Sequence, residues 1–315
     1  MEWYHWTALV ALILALATFG ISYYCYRRVF YSAPRKPRGE NEFPIPDGAE
    51  YLPYREAIVD WIKTARSLPH ECFSIRSHDG LTLHGKYYEC KKGAPVELLL
   101  HGYRGDGERD VSAGIERCFA LDRNVLIIDQ RASGASDGHT ITFGAVERYD
   151  CLRWVAFLIE RFGEDVEIIL SGVSMGAATV LLAAGETLPK QVKCVLADCG
   201  FTSAQEMIKL VITKMHLPAK LTYPFVRLGG RLFGGFDINE SAPEKALVRC
   251  KVPVIFLHGG NDNFVPCQMS RRMYELCPTA KSLCIIEDAD HGLAFPADKE
   301  GYLKAVKDFE KEWKN

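Results

Sequence analysis

The chain contains no Cys-x-x-Cys pair and no Cys/His cluster at zinc-finger spacing, although it has eleven cysteines in 315 residues. That excludes the common structural zinc modules and a thioredoxin-type redox motif. Several cysteines, among them Cys194, Cys250 and Cys284, lie inside apolar runs. There they read as small buried hydrophobes of a reducing compartment. No excess of charge is present either. The formal net charge is -2, too small to provide the basic field a nucleic-acid-binding protein needs. Repeats and low-complexity tracts are absent, which excludes solenoids and arrays. The most localised absence runs from Trp3 to Tyr26, where no Lys, Arg, Asp or Glu occurs.

That uncharged stretch is the first positive feature. Its centre, Ala8 to Ala17, is strongly apolar, with Trp3, Tyr4 and Trp6 on one side and Tyr23, Tyr24 and Tyr26 on the other. About 20 helical residues cross a hydrocarbon core, and aromatic side chains favour its two interfaces. A cleaved signal peptide would want a basic start and small residues at a cleavage site. This segment starts with Glu2 and ends in bulky and basic residues, Arg27, Arg28, Arg35, Lys36 and Arg38. Residues 1–26 therefore read as a single-pass transmembrane anchor, and the flanking positive charge places the rest of the chain on the cytoplasmic side. Residues 27–50, rich in Pro, Gly and charge, read as a linker. Residues 51–315 form one domain.

Within that domain, residues 54–66 carry Ile58, Trp61, Ile62 and Ala65 at helical spacing, which predicts an amphipathic helix packed on the domain. Two strand patterns, Phe73–Arg76 and Leu81–Tyr88, flank an Asp79-Gly80 turn and predict a β-hairpin. Short apolar runs occur next at 96–100, 125–128, 166–170, 194–197, 252–257 and 283–286. Helical stretches at 147–160, 176–184 and 270–276 alternate with them. A hairpin followed by repeated βα units predicts an α/β fold, a mostly parallel sheet with helices on both faces. Ligands of such sheets bind beyond the carboxyl ends of the strands, so residues just after strands carry the chemistry.

Gly-x-Ser-x-Gly occurs twice, at 134–138 and at 172–176. Only the second lies between a strand pattern and a helix pattern, the context of a nucleophile elbow. Ser174 is therefore the candidate nucleophile, placed at a helix N-terminus whose dipole favours developing negative charge. A serine hydroxyl needs a base. His291 comes after the last strand, in Asp288-Ala289-Asp290-His291-Gly292, and is the candidate. Of the other histidines, His101 and His258 close strands and suit structural roles. The acid that orients the base is expected on another strand-end loop, and Asp262 fits, with Asp198 and Asp290 as rivals. The oxyanion donors are expected to be the Met175 N–H and the Tyr103 N–H, the latter from His101-Gly102-Tyr103-Arg104-Gly105.

These motifs, with Asp129-Gln130-Arg131, Val265-Pro266 and Asp290-His291-Gly292, together resemble the α/β-hydrolase superfamily over roughly residues 70–315. The likeness is above all to Bem46-like, serine-aminopeptidase-like and bacterial cinnamoyl-esterase-like hydrolases. The resemblance implies the α/β-hydrolase fold with an eight-stranded sheet, no metal and no organic cofactor. It leaves the substrate open. Residues 200–247 are too long for a plain loop. Ser203-Ala204-Gln205-Glu206 and Ser241-Ala242-Pro243-Glu244 each read as a capping box, and the stretch between them predicts a small apolar helical cap. Arg104 could meet a substrate carboxylate, though a surface role is the simpler reading. The expected reaction is hydrolysis of a carboxylic ester with a hydrophobic acyl or alcohol group, small or lipid-like. Peptide or thioester cleavage by the same residues and a non-catalytic scaffold are the alternatives. The partners expected are that substrate and the membrane, with no nucleic acid; the oligomeric state is open.

Overall fold

The computed structural model describes residues 3–33 and 38–314. Pro34, Arg35, Lys36 and Pro37 of the expected linker lie outside the described residues. Eight strands form one sheet: β1 (Glu71–Arg76), β2 (Thr82–Tyr88), β3 (Val96–Leu100), β4 (Asn124–Asp129), β5 (Ile168–Val173), β6 (Val192–Asp198), β7 (Val254–Gly259) and β8 (Lys281–Ile286). Their order is β1-β2-β4-β3-β5-β6-β7-β8. The first hairpin is antiparallel and β2 joins β4 antiparallel, while every pairing from β4 to β8 is parallel. The twelve helices among the described residues are α1 (Trp3–Val29), α2 (Arg55–Ser67), α3 (Gly107–Val111), α4 (Ala113–Phe119), α5 (Glu147–Phe162), α6 (Met175–Ala184), α7 (Ala204–Lys214), α8 (Ala219–Gly229), α9 (Pro243–Leu247), α10 (Gln268–Leu276), α11 (Ala294–Ala297) and α12 (Lys299–Lys314). Helices α5, α6 and α10 bury one face of the sheet, with Trp154, Val180 and Met273 in that core. Helices α4 and α12 cover the other, through Ile115, Tyr302 and Phe309.

The central strands are mostly apolar, as burial on both faces requires, and a charge buried among them needs partners. Glu97 of β3 is wholly buried and is held by Arg117 and by Arg123, whose Nη1 lies 2.5 Å from Glu97 Oε2. Arg123 also reaches Glu310 of α12 at 2.6 Å. Burial alone would push the Glu97 carboxyl up, but the two guanidinium charges hold it below its ordinary value. This network ties α4, the loop after it and α12 to the middle of the sheet.

Of three segments, the first and third depart from the expectation and the second agrees with it. First, α1 continues to Val29, and the chain to Ser32 packs on the domain instead of opening a linker. Phe30 is 0% exposed. Its carbonyl accepts Ile141 N at 2.8 Å, and His139 O accepts Ser32 N at 2.9 Å. The aromatic rings read as an interface belt, Tyr26 in particular, pack with Phe30 against Phe233, Phe143 and Phe236 of the domain. Second, α2 packs on the body through Ile58, Trp61 and Ile62, and Trp61 Nε1 donates to Glu116 at 2.5 Å. Third, only one of the two expected capping boxes supplies its N-cap bond. Ser203 Oγ accepts Glu206 N at 3.2 Å. Ser241 is fully buried and donates its hydroxyl to Phe143 O, so α9 starts later, with Ala242 as its N-cap.

Removing Glu97 leaves the buried Arg117 guanidinium without a carboxylate and Arg123 with Glu310 alone, a cost of about 3–5 kcal/mol. Glu97→Ala is expected to lower the thermal midpoint by roughly 10 °C, whereas Glu71→Ala, which breaks an exposed pair with Arg161, should leave it nearly unchanged. Thermal unfolding of both variants in detergent micelles checks this. The sign with pH is set by the lowered Glu97 carboxyl. Its unfolded-state pKa is the higher one, near ~4, so its contribution is complete above that value and is lost as the pH falls below it.

Candidate active site

Ser174 stands between β5 and α6 with φ 57° and ψ −114°, a conformation few non-glycine residues adopt. Its neighbours explain how the turn closes. A Cβ on Gly172 would lie 2.2 Å from the Gly176 carbonyl carbon, and one on Gly176 would lie 2.2 Å from Leu100 O. Only glycine fits at either place. The Ser174 N–H is fixed by Asp198 O at 2.8 Å, so the strain is held by the adjoining strand. The other Gly-x-Ser-x-Gly match is structural: Ser136 donates to Asp129 O at 2.6 Å and accepts His84 N at 2.9 Å.

The structure brings Ser174, His291 and Asp262 together from three separate loops. Ser174 Oγ lies 2.9 Å from His291 Nε2, and His291 Nδ1 lies 2.7 Å from Asp262 Oδ2. The carboxylate fixes the proton on Nδ1, which leaves the Nε2 lone pair facing the hydroxyl. Tyr51 holds the His291 backbone by donating its hydroxyl to His291 O at 2.9 Å, and Phe264 stands edge-on to the imidazole with centroids 5.1 Å apart. Ser174 is 7% exposed.

Asp262 is the best-satisfied group of the set. Its Oδ1 accepts Phe264 N at 2.9 Å and Val265 N at 2.7 Å. Its Oδ2 is shared between His291 and His258 Nε2, the latter at 3.2 Å. Burial favours the neutral acid, but the two imidazoles outweigh it and hold the carboxyl well below its usual range. His258, read as structural, is thus a direct partner of the acid. It is fully buried, with Nε2 also donating to Val265 O at 2.9 Å and Nδ1 against Ser270 Oγ at 2.7 Å. The rival acids point elsewhere. Asp198 accepts the Tyr302 hydroxyl at 3.0 Å, and Asp290 is 3.5 Å from Asn263 Nδ2.

Cys199 was unmarked in the sequence apart from its place after β6. Its backbone is left-handed, φ 46°, and its buried Sγ lies within 4.8 Å of ligand atoms of Asp262 and His291. Burial holds it as a neutral thiol, well above its usual pKa. Cys199, Asp262 and His291 could in principle converge on a cation, as could His78, Asp79 and Asp150. In both groups the carboxylates are already committed, to imidazoles in the first and to Arg131 in the second.

The remaining expected residues sit close by. Met175 opens α6, so its N–H is one of the four that find no acceptor within a helix. Gly102 runs past the serine so closely that a Cβ there would lie 3.6 Å from Ser174 Cβ, and Tyr103 is the next residue. Arg104 does not face the serine: it donates to Arg28 O at 2.9 Å and Tyr31 O at 3.2 Å. Met175, Phe201 and Val265 join Met207, Ile208 and Ile212 of α7 in one apolar cluster beside the serine. A separate groove of about 840 Å³, bordered by Arg38, Lys63, Arg66 and Glu108, includes none of the three converging residues.

The family model for the alpha/beta hydrolase fold matches residues 98–240, which span the glycine-rich loop, the elbow and most of the cap. The chain has the α/β-hydrolase fold. Among curated proteins, this hydrolase-fold chain is 30% identical over 190 residues to the uncharacterized protein YqkD of Bacillus subtilis (strain 168), which covers 60% of the chain and 62% of that relative. It is 26% identical to protein bem46 of Schizosaccharomyces pombe over 77% of both chains. Among solved structures, the Pyrococcus furiosus esterase Pf2001 matches with a TM-score of 0.65 and 23% identity over 90% of this chain and 98% of that one. Mouse alpha/beta hydrolase domain-containing protein 10 matches with a TM-score of 0.55 and 21% identity over 77% and 99%.

A hydrogen bond to a charged group is worth about 1.5–3 kcal/mol, a ten- to hundredfold effect on a step that uses the charge. His258→Leu is therefore expected to lower p-nitrophenyl acetate turnover at least about tenfold with the fold intact by circular dichroism. Asp198→Asn should change it far less. Equal losses in the two variants would show that Asp262 draws no specific support from His258.

Proposed function

We propose that this chain is a membrane-anchored serine hydrolase that cleaves carboxylic esters of hydrophobic acyl or alcohol groups through an acyl-enzyme. The carrying observation is the unbroken relay from Ser174 Oγ through His291 to Asp262, at 2.9 and 2.7 Å, on an elbow with the serine at φ 57°. Ser174 Oγ attacks the ester carbonyl while its proton passes to His291 Nε2. Asp262 stabilises the imidazolium. The N–H groups of Met175 and Tyr103 bind the oxyanion, each donor of this kind contributing about 3 kcal/mol. The alcohol leaves with the proton from His291. Water then attacks the acyl-enzyme, His291 takes its proton, and the acid departs as Ser174 is reprotonated.

The apolar cluster beside the serine supports a hydrophobic group on the substrate. Fold-level likeness to proteins named as esterases supports the reaction class without naming the substrate. The long apolar helix α1, with Arg27 and Arg28 in its last turn, supports a single-pass anchor with the hydrolase domain on the cytoplasmic side.

A panel of p-nitrophenyl esters from acetate to decanoate, run against aminoacyl-naphthylamides and acyl thioesters, tests the reading. Ester turnover should dominate and rise with acyl length, Ser174→Ala should abolish it, and Asp262→Asn should reduce it by roughly 10³–10⁴. Dominant naphthylamide or thioester turnover would replace the ester assignment.

A further inference from the structure

Resting on the hydrolase reading, we propose that the cap lies in the bilayer surface beside α1 and that the site is loaded with lipid esters laterally from that leaflet. The length of α1 sets the depth. At ~1.5 Å per residue, the ~30 Å hydrocarbon core takes about 20 residues. Counting from the aromatic cluster Trp3, Tyr4 and Trp6 at the far interface, the core ends near Tyr26. Phe19, Ser22 and Tyr23 are then inside it or at its edge. The cap packs on these same residues. Phe233, just after α8, stands edge-on to Phe19 at 5.0 Å and to Tyr23 at 5.1 Å between centroids. Gly229, the last residue of α8, comes so close to α1 that a Cβ on it would lie 2.4 Å from Ser22 O. A cap fixed to α1 at Phe19 enters the membrane by about 10 Å, seven residues of helix rise. This is the depth at which amphipathic helices rest in an interface.

The exposed surface of the cap matches that position. Met215, Leu217, Leu221 and Leu232 are 60%, 45%, 69% and 53% exposed. All four lie in or beside the cap helices, whereas exposed large apolar residues elsewhere on the domain, such as Leu52, Val248 and Leu276, are far apart in the chain. Arg27, Arg28 and Lys220 are exposed as well. Long basic side chains at this level reach the phosphate layer while their stems stay in the apolar region.

The same contacts link the membrane to the site. Tyr103 donates its hydroxyl to Val29 O at 2.7 Å, and Arg104 donates to Arg28 O at 2.9 Å. The loop that carries the proposed oxyanion donor thus caps the last carbonyls of α1, where a cation also meets the negative end of the helix dipole. The cap, the loop and the end of the anchor share the apolar cluster that includes Met175, Tyr26 and Phe30. An ester carbonyl just below the headgroups lies at the depth of this cluster.

The test uses the full chain in nanodiscs of phosphatidylcholine and phosphatidylglycerol. Two substrates are compared: a fluorogenic long-chain ester dissolved in the disc, and p-nitrophenyl acetate in water. The exposed double variant Leu217→Asp/Leu221→Asp should lose tenfold or more on the bilayer ester and keep p-nitrophenyl acetate turnover within twofold. Equal effects on both substrates, or none, would overturn the inference. A second readout does not depend on catalysis. An environment-sensitive fluorescent amino acid at position 221 should emit at short wavelength and be quenched by spin-labelled lipid. Water-like, unquenched emission would overturn the placement. Failure of the wild type to hydrolyse either ester would refute the ester-hydrolase reading, while the emission still decides where the cap lies.

Discussion

The left-handed backbone of Ser174 is the constraint on which the arrangement turns. At φ 57° a serine pays a conformational cost of about 1–3 kcal/mol, and three neighbours keep it there. Gly172 and Gly176 let strand and helix pass within contact of each other and of Leu100. Asp198 O takes the serine N–H. Adding one methyl at either glycine would push α6 off the sheet and carry the hydroxyl away from His291. The strain also raises the serine above the ends of β5 and β6, where loops after β7 and β8 can reach it.

From that point the site is a problem of holding one charge. Asp262 is buried and would be neutral without help. Two backbone N–H groups and two imidazoles surround it, and the balance falls to the ionised form. His258 is fixed in turn by Val265 O and Ser270. The hydrogen bonds therefore run from α10 through β7 to the loop after β8. A helix, a strand and a loop all contribute to the orientation of a single imidazole.

Much of this was legible in the sequence for a physical reason: parallel strands advertise themselves as short apolar runs, and the residues after them lie at one edge. The eight strands, the elbow at 172–176 and the convergence of residues 174, 262 and 291 could be read that way. What could not be read depends on contacts between distant segments. The role of His258 beside Asp262 has no local signal beyond its place at a strand end. Cys199 looks like any buried cysteine. Ser241-Ala242-Pro243-Glu244 has the pattern of a capping box, yet Ser241 is drawn to Phe143 O in the core. Glu97 gives no hint that Arg117 and Arg123 will meet it. The aromatic residues at the end of α1 fit a membrane interface by composition, and only the folded chain shows Tyr26 and Phe30 packed among the rings of the domain.

That last difference changes what the proposed anchor is. A tether would leave the hydrolase-fold domain free to turn above the membrane, whereas α1 is fastened to the cap and to the loop after β3. The chemistry proposed for the site depends on Ser174 being the reactive hydroxyl. The most direct measurement is tandem mass spectrometry of the intact protein after reaction with a fluorophosphonate. One adduct per chain is predicted, carried by the peptide containing Ser174. An adduct on any other residue, Ser136 of the second Gly-x-Ser-x-Gly included, or no adduct at all, would contradict that assignment.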